Sequence, residues 1–197
     1  MNFLAHLHLA EPTPESCLGS LLGDFVKGYP WDDRFPPAVW QGIVEHRAVD
    51  RFTDTHPEWQ KSRDCLPKHL RRYAGIVVDV YYDYCLHAHW AQFSTEESIE
   101  QFTERIHGLL RDSLYLAPPE ARVAIEMMIR EEWLAGYRTV DGVHRTLRRV
   151  SLRSPTMLPL SEASFALESR VEELEDHFLG FYPDLIHYME LLRSESA

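Results

Sequence analysis

The chain is 197 residues long and carries 20 Lys and Arg against 31 Asp and Glu, a net charge of −11 at neutral pH. That length suits one substantial hydrophobic core, and the acidity argues against general binding to nucleic acid or to an anionic membrane. Three widely spaced cysteines, Cys17, Cys65 and Cys85, form no C-x-x-C pattern, so neither a disulfide framework nor a zinc knuckle is expected, and a reducing cytoplasm fits best.

In chain order, the opening Met1 to Ala10 lacks a basic leader and carries His6 and His8. It reads as mature, soluble protein, since no apolar run approaches the ~20 residues of a membrane span. If the start is helical, His6 and His8 diverge by about 160°, so at most one of them joins a site. Thr13-Pro14-Glu15 predicts an N-cap with Pro in the first turn, opening a helix through Leu18, Leu21, Leu22 and Phe25. This helix should stop near Gly28-Tyr29-Pro30, with Asp24 near its end. Pro36-Pro37 opens the next, which places His46, Asp50 and Asp54 on one stripe, and His56-Pro57 breaks or restarts it. A basic stretch from Lys61 to Arg72 precedes an apolar helix that holds Asp79 and Asp83. Ser94-x-x-Glu97 predicts a capping box for a helix to about Tyr115. Pro118-Pro119 starts another to about Arg138, Asp141 caps a short basic helix, and Ser161 begins a long amphipathic one that Pro183 kinks. No segment alternates as a strand. The expectation is one all-α domain over residues 1–197, a helical bundle without internal repeats.

Two spacings carry chemistry. Asp79 and Asp83 stand four apart among Val, Tyr, Cys and Leu, on a helix that should be buried all round. A buried carboxylate is costly unless paired or metal-bound, and Lys and Arg are absent from Ala74 to Phe93. His46 and Asp50 offer an imidazole and a carboxylate on one helical face; a plain hydrogen bond or a metal ligand set would both produce that pattern. Oxygen donors with one or two imidazoles suit Mn, with Mg, Fe or Zn as alternatives. Glu104-x-x-His107 has the form of half a di-iron site, but a second copy is missing. No G-x-S-x-G elbow, P-loop or activated cysteine offers a rival. From His144 to Arg153 the sequence holds four Arg and no acid, and Arg145, Arg148, Arg149 and Arg153 should project broadly from one side of a helix. That face either docks an acidic partner or is solvated; the stretch from Lys61 to Arg72 competes for the role. A non-catalytic helical interaction protein, with its acids met by Arg from other helices, is the alternative of a different class.

The opening Met1-Asn2-Phe3-Leu4-Ala5-His6-Leu7-His8-Leu9-Ala10 and Leu21-Leu22-Gly23-Asp24-Phe25-Val26-Lys27-Gly28 resemble the acyl carrier protein phosphodiesterases. His46-Arg47-x-x-Asp50-x-x-Thr53-Asp54 and Asp79-x-x-x-Asp83-x-x-Leu86-x-x-His89-Trp90 look like further motifs of that family. The resemblance covers most of the chain and is strongest before residue 95. It implies a divergent HD-type, metal-dependent phosphohydrolase that removes the phosphopantetheine arm from holo acyl carrier protein, a strongly acidic protein. The chain has no His-Asp doublet, so ligands must be argued from spacing and residue type. Asp79, His46, Asp24 and His6 are then the metal-ligand candidates. Asp83 and Asp50 could orient or deprotonate the nucleophilic water. Arg47, Lys27 and His89 could hold substrate. Hydrolysis of another small phosphodiester or nucleotide remains an alternative, and the oligomeric state is open.

Overall fold

The structure, a computed structural model, describes residues 1–28 and 33–196, so most of the turn expected at Gly28-Tyr29-Pro30 lies outside the described residues. Among the described residues every regular element is helical. The order is α1 (Phe3–Leu9), α2 (Pro14–Leu22), α3 (Pro37–Thr55), α4 (Pro57–Asp64), α5 (Ala74–Ala88), α6 (Trp90–Phe93), α7 (Ile99–Ser113), α8 (Pro119–Arg130), α9 (Trp133–Gly136), α10 (Val140–Ser151), α11 (Leu160–Ala166) and α12 (Val171–Ser196). Short 3-10 turns link several of them.

Proline and capping residues set most of the starts. Thr13 accepts from the Ser16 N–H and Pro14 stands in the first turn of α2, as the sequence predicts. His56 closes α3 and caps α4, its side chain accepting from the Glu58 N–H ahead of Pro57. Five boundaries differ from expectation. The α2 helix ends at Leu22, where the Phe25 and Val26 N–H groups both turn back onto the Leu22 carbonyl. The capping box lies at Ser98 and Gln101, not at Ser94 and Glu97. The α8 helix stops at Arg130 because Glu132 takes a left-handed φ of 50°. Thr139, whose hydroxyl accepts from the Gly142 N–H, caps α10, and Asp141 merely occupies its first turn. The long helix expected from Ser161 is two, α11 and α12, and α12 runs through Pro183.

The chain divides into two compact units. One, here the donor unit, comprises Phe3–Arg51 and Trp90–Ala135; the other, the carboxyl-terminal unit, comprises Met1–Asn2, Phe52–His89 and the chain from Gly136 onward. In the donor unit α2 packs on α1 and α7 over Leu4, Leu18, Leu21, Phe102, Ile106 and Leu110. Its α2 and α3 cross backbone to backbone: a Cβ on Gly19 would stand 2.8 Å from Gly42 Cα, so only glycine permits this approach. That crossing brings the end of α2 against the middle of α3. In the carboxyl-terminal unit α12 packs on α4 and α5, and α10 on α5 and α11, over Val77, Tyr81, Leu86, Leu147, Phe178 and Leu185. No helix of the described residues is long and apolar enough to cross a membrane.

Candidate metal centre

His46 and Asp50, four apart on α3, meet as their spacing predicts: His46 Nε2 lies 3.1 Å from Asp50 Oδ2. Short α1 is helical, so His6 and His8 separate. His6 turns in and places Nε2 3.3 Å from Asp50 Oδ1, while His8 packs edge-on against Trp90 and beside Phe102. The turn after α2 brings Asp24 Oδ1 to 3.7 Å from His46 Nε2. The two imidazoles stack, centroids 3.9 Å apart and planes within 15°. Both are buried, whereas the carboxylates of Asp50 and Asp24 keep 42% and 59% of their side-chain surface, so the centre opens to solvent on the acidic side.

The ring of His46 is fixed in plane and tautomer. Its Nδ1 lies 2.6 Å from the Ser20 carbonyl oxygen; a carbonyl only accepts, so Nδ1 carries the hydrogen. Nε2 is thereby the nitrogen that faces Asp50 and Asp24. The opposing wall is Gly23, where an added Cβ would lie 2.1 Å from His46 Cδ2. Ser20 and Gly23 are parts of the site that sequence reasoning missed. The only signal available was Gly23 beside Asp24 in Leu-Leu-Gly-Asp.

Electrostatics point the same way. Burial, followed by the neighbouring His46, pushes His6 down to about 3, so it is neutral near pH 7. Neither of its ring nitrogens makes a hydrogen bond. Burial raises Asp50, but the close approach of the His46 and His6 ring nitrogens outweighs it and holds the carboxyl well below the ordinary carboxylate range. The neutral His6, the Nε2 of His46 and the Asp50 anion thus converge on one point, an arrangement that a cation lying between them would hold together. Donors of His6, His46 and Asp50 all fall within 4.8 Å of one another. Ligands at ~2.0–2.2 Å from one ion lie about 2.8–3.6 Å apart when adjacent, and the separations of 3.1 and 3.3 Å fall in that range. The residues therefore fit a divalent ion.

Other expected site residues stand elsewhere. Asp79 is not enclosed: 24% of its side chain is exposed, and it accepts from Trp59 Nε1 at 3.0 Å and lies 3.4 Å from the Met1 ammonium. The positive group that a search for Lys and Arg could not find is the chain's own N-terminus. Asp83, expected to handle a nucleophilic water, is wholly buried, and its charge acts on Tyr137 and Tyr182, which burial first and Asp83 next push upward. Arg47 donates to the carbonyls of Gly28 at 3.0 Å and Val26 at 2.8 Å, so both terminal nitrogens brace the loop after Asp24. Lys27 is exposed in that loop. His89 ends α5 with Nε2 3.8 Å from Glu175, within the carboxyl-terminal unit. Arg153 lies beyond the end of α10, and Arg149 is half-buried and donates to Thr146, so only Arg145 and Arg148 remain as exposed cations on that helix. The three cysteines are free and buried, and burial raises Cys17 and Cys65 to about 11, which suits none of them as a nucleophile.

The family model described as acyl carrier protein phosphodiesterase matches residues 1–185. Among curated relatives, the acyl carrier protein phosphodiesterase of Escherichia coli O45:K1 (strain S88) is 37% identical over 190 residues, covering 94% of this chain and 96% of its own length. That of Salmonella agona (strain SL483) is 36% identical over 186 residues, with the same coverage. No solved structure matches the chain. With the match spanning nearly the whole sequence, the chain belongs to the acyl carrier protein phosphodiesterase family.

Proposed function

We propose that the chain is a metal-dependent hydrolase that cleaves the phosphodiester joining the phosphopantetheine arm to acyl carrier protein, releasing the arm and the apo carrier. One observation carries the metal part of this reading: His6 Nε2, His46 Nε2 and the Asp50 carboxylate converge as electron-pair donors, with His46 Nδ1 already committed to Ser20. A divalent ion held there, Mn before Mg, Fe or Zn given two imidazoles and carboxylates, would lower the pKa of a bound water and polarise a phosphoryl oxygen. Everything else falls to the chain's own groups. His46 is locked by Ser20 and Gly23 so that its lone pair stays aimed into the centre. Asp50 holds negative charge between the two imidazoles. Asp24, more exposed and 3.7 Å from His46 Nε2, stands at the solvent side where it can take a proton from the attacking water. Lys27, exposed five residues after α2 ends at Leu22, offers a cation in that loop for a non-bridging oxygen. In this reading the enzyme is a divergent HD-type phosphohydrolase whose ligands come from α1, the turn after α2 and α3 in place of a His-Asp doublet. Its free, reduced cysteines suit work in the cytoplasm.

The test is direct. Protein stripped with a chelator is mixed with holo acyl carrier protein, with and without added Mn, and the carrier is weighed intact. The expected result is loss of one phosphopantetheine only when the ion is present. Full turnover by rigorously metal-free protein would remove the metal from the mechanism.

A further inference from the structure

Within the donor unit, the loop that follows α2 is gripped at both ends. At its start the Leu22 carbonyl accepts from the N–H groups of Phe25, at 3.0 Å, and Val26, at 2.8 Å, and Gly23 lies against the His46 ring. At its far end Arg47, half-buried on α3, spreads its guanidinium across two carbonyls: Nη2 donates to Val26 at 2.8 Å and Nη1 to Gly28 at 3.0 Å. A guanidinium holds its donors in a fixed planar fork, so this pair of bonds sets the loop in direction as well as in distance. Gly28 contributes a φ of 96°, and none of the described residues comes within 4 Å of where its Cβ would stand. Glycine is there for the backbone conformation, not for room.

Asp24 stands between these grips. Its carboxylate keeps 59% of its surface and comes no nearer to His46 Nε2 than 3.7 Å, too far for a hydrogen bond to fix it, so its place follows from the backbone that carries it. His46 and Arg47 are consecutive on α3 and diverge by about 100°, so one helical turn holds an imidazole on one side and the loop on the other. We propose that Arg47 is a positioning residue for the reaction: by holding Val26 and Gly28 it sets where Asp24 stands against His46, and with that the path of the attacking water. This rests on the metal-dependent reading above, in which Asp24 takes the water's proton. A cation that met the substrate phosphate would act through its charge, which lysine also carries; a clamp acts through the fork, which lysine lacks.

Amide hydrogen exchange over residues 23–28 is followed by mass spectrometry on the metal-stripped protein, and kcat, KM and Mn affinity are measured on the loaded one. Arg47→Lys and Arg47→Ala should both speed exchange in that segment, while peptides from α7 exchange as in the parent. Both should lower kcat by roughly 10- to 100-fold, the cost of displacing a proton acceptor by about 1 Å, with KM within about 3-fold of the parent. Mn affinity should change little, since His6, His46 and Asp50 are untouched. Gly28→Ala strains the loop from its far end without altering α3, and should show the same pattern to a smaller degree. If Arg47→Ala fails to give a helical, cooperatively melting protein, Arg47→Lys and Gly28→Ala are read by the same criteria. Parent-like kcat in Arg47→Lys beside a raised KM in Arg47→Ala would make Arg47 a substrate contact and overturn the proposal, as would unchanged exchange over residues 23–28 in both. Exchange needs neither metal nor turnover, so a parent protein without metal-dependent hydrolysis would sink the functional reading, whereas unchanged exchange would sink the clamp.

Discussion

Helices α3 and α5 each carry two titratable side chains four residues apart, and they put them to opposite uses. On α3, His46 and Asp50 meet His6 and Asp24 with too few hydrogens among them to satisfy every lone pair. On α5, Asp79 is met by the indole of Trp59 and the Met1 ammonium, and Asp83 lies wholly within the interior near Tyr137 and Tyr182. Helical spacing brings groups to one face; it does not say whether donors or acceptors will be in excess there. What distinguishes a candidate cation site is the balance of hydrogens against lone pairs, and that balance is set by residues remote in sequence.

The comparison is broken most directly at α3. His46→Ala and Asp50→Ala should each lower turnover of holo carrier by three or more orders of magnitude, about 4 kcal/mol of transition-state stabilisation, and abolish tight binding of Mn measured by equilibrium dialysis. Either variant that binds Mn as the parent does is thereby removed from the ligand set.

The corresponding change on α5 acts on stability. Asp83 has no exposed surface, so Asp83→Ala opens a void and removes an interior carboxylate that acts on Tyr137 and Tyr182. The expected loss is about 3 kcal/mol or more, read as a lowered midpoint in urea. A midpoint within error of the parent would show that α5 carries its acid without depending on it.

Much of the fold and half of the centre could be read from the sequence, and the physical reason differs between the parts. Thr13-Pro14, Pro37, His56-Pro57 and Pro119 fix helix starts by local backbone chemistry, and His46 with Asp50 is a matter of helical period. Ser94 and Glu97 misled because Ser98 and Gln101 offer the same box one turn later, and the correct one is chosen by where α7 packs. His6 entered only through resemblance, since no spacing relates α1 to α3. The partner of Asp79 escaped because it is neither Lys nor Arg but an α-amino group 78 positions away, joined by an indole 20 residues upstream. Arg149 and Arg153 were set beside Arg145 and Arg148 by an ideal helix, yet α10 ends at Ser151 and Arg149 turns inward.

Gly23 sharpens the account of the centre itself. Its φ of −52° is one any residue adopts, so Gly23→Ala introduces no backbone strain. What it introduces is a methyl group 2.1 Å from His46 Cδ2, and the ring must leave its plane or lose the Ser20 hydrogen bond. Displaced supports of this kind cost roughly 10- to 100-fold in metal affinity. Gly23→Ala should therefore weaken Mn binding by that factor and lower turnover at sub-saturating Mn, with part of the loss recovered at high Mn. Parent-like affinity would mean that the loop moves to make room and that His46 is held by Ser20 alone.

The smallest effect belongs to Asp79, and it tests whether its observed partners account for its presence. Asp79→Ala leaves the Trp59 indole N–H without this acceptor and removes a carboxylate 3.4 Å from the Met1 ammonium. With 24% of the side chain exposed, water reaches the site and compensates in part. The loss should then be about 1–2 kcal/mol, the range of one hydrogen bond to a charged group. Trp59 is buried, at 3% exposure, so its fluorescence reports the change as well: emission should shift as the indole exchanges a carboxylate for water. Asp79→Asn keeps an acceptor for the indole but not the charge, and should recover the emission while leaving part of the stability loss. If Asn and Ala variants lose stability equally and Trp59 emission moves in neither, the indole bond contributes nothing and the carboxylate of α5 answers to the ammonium alone.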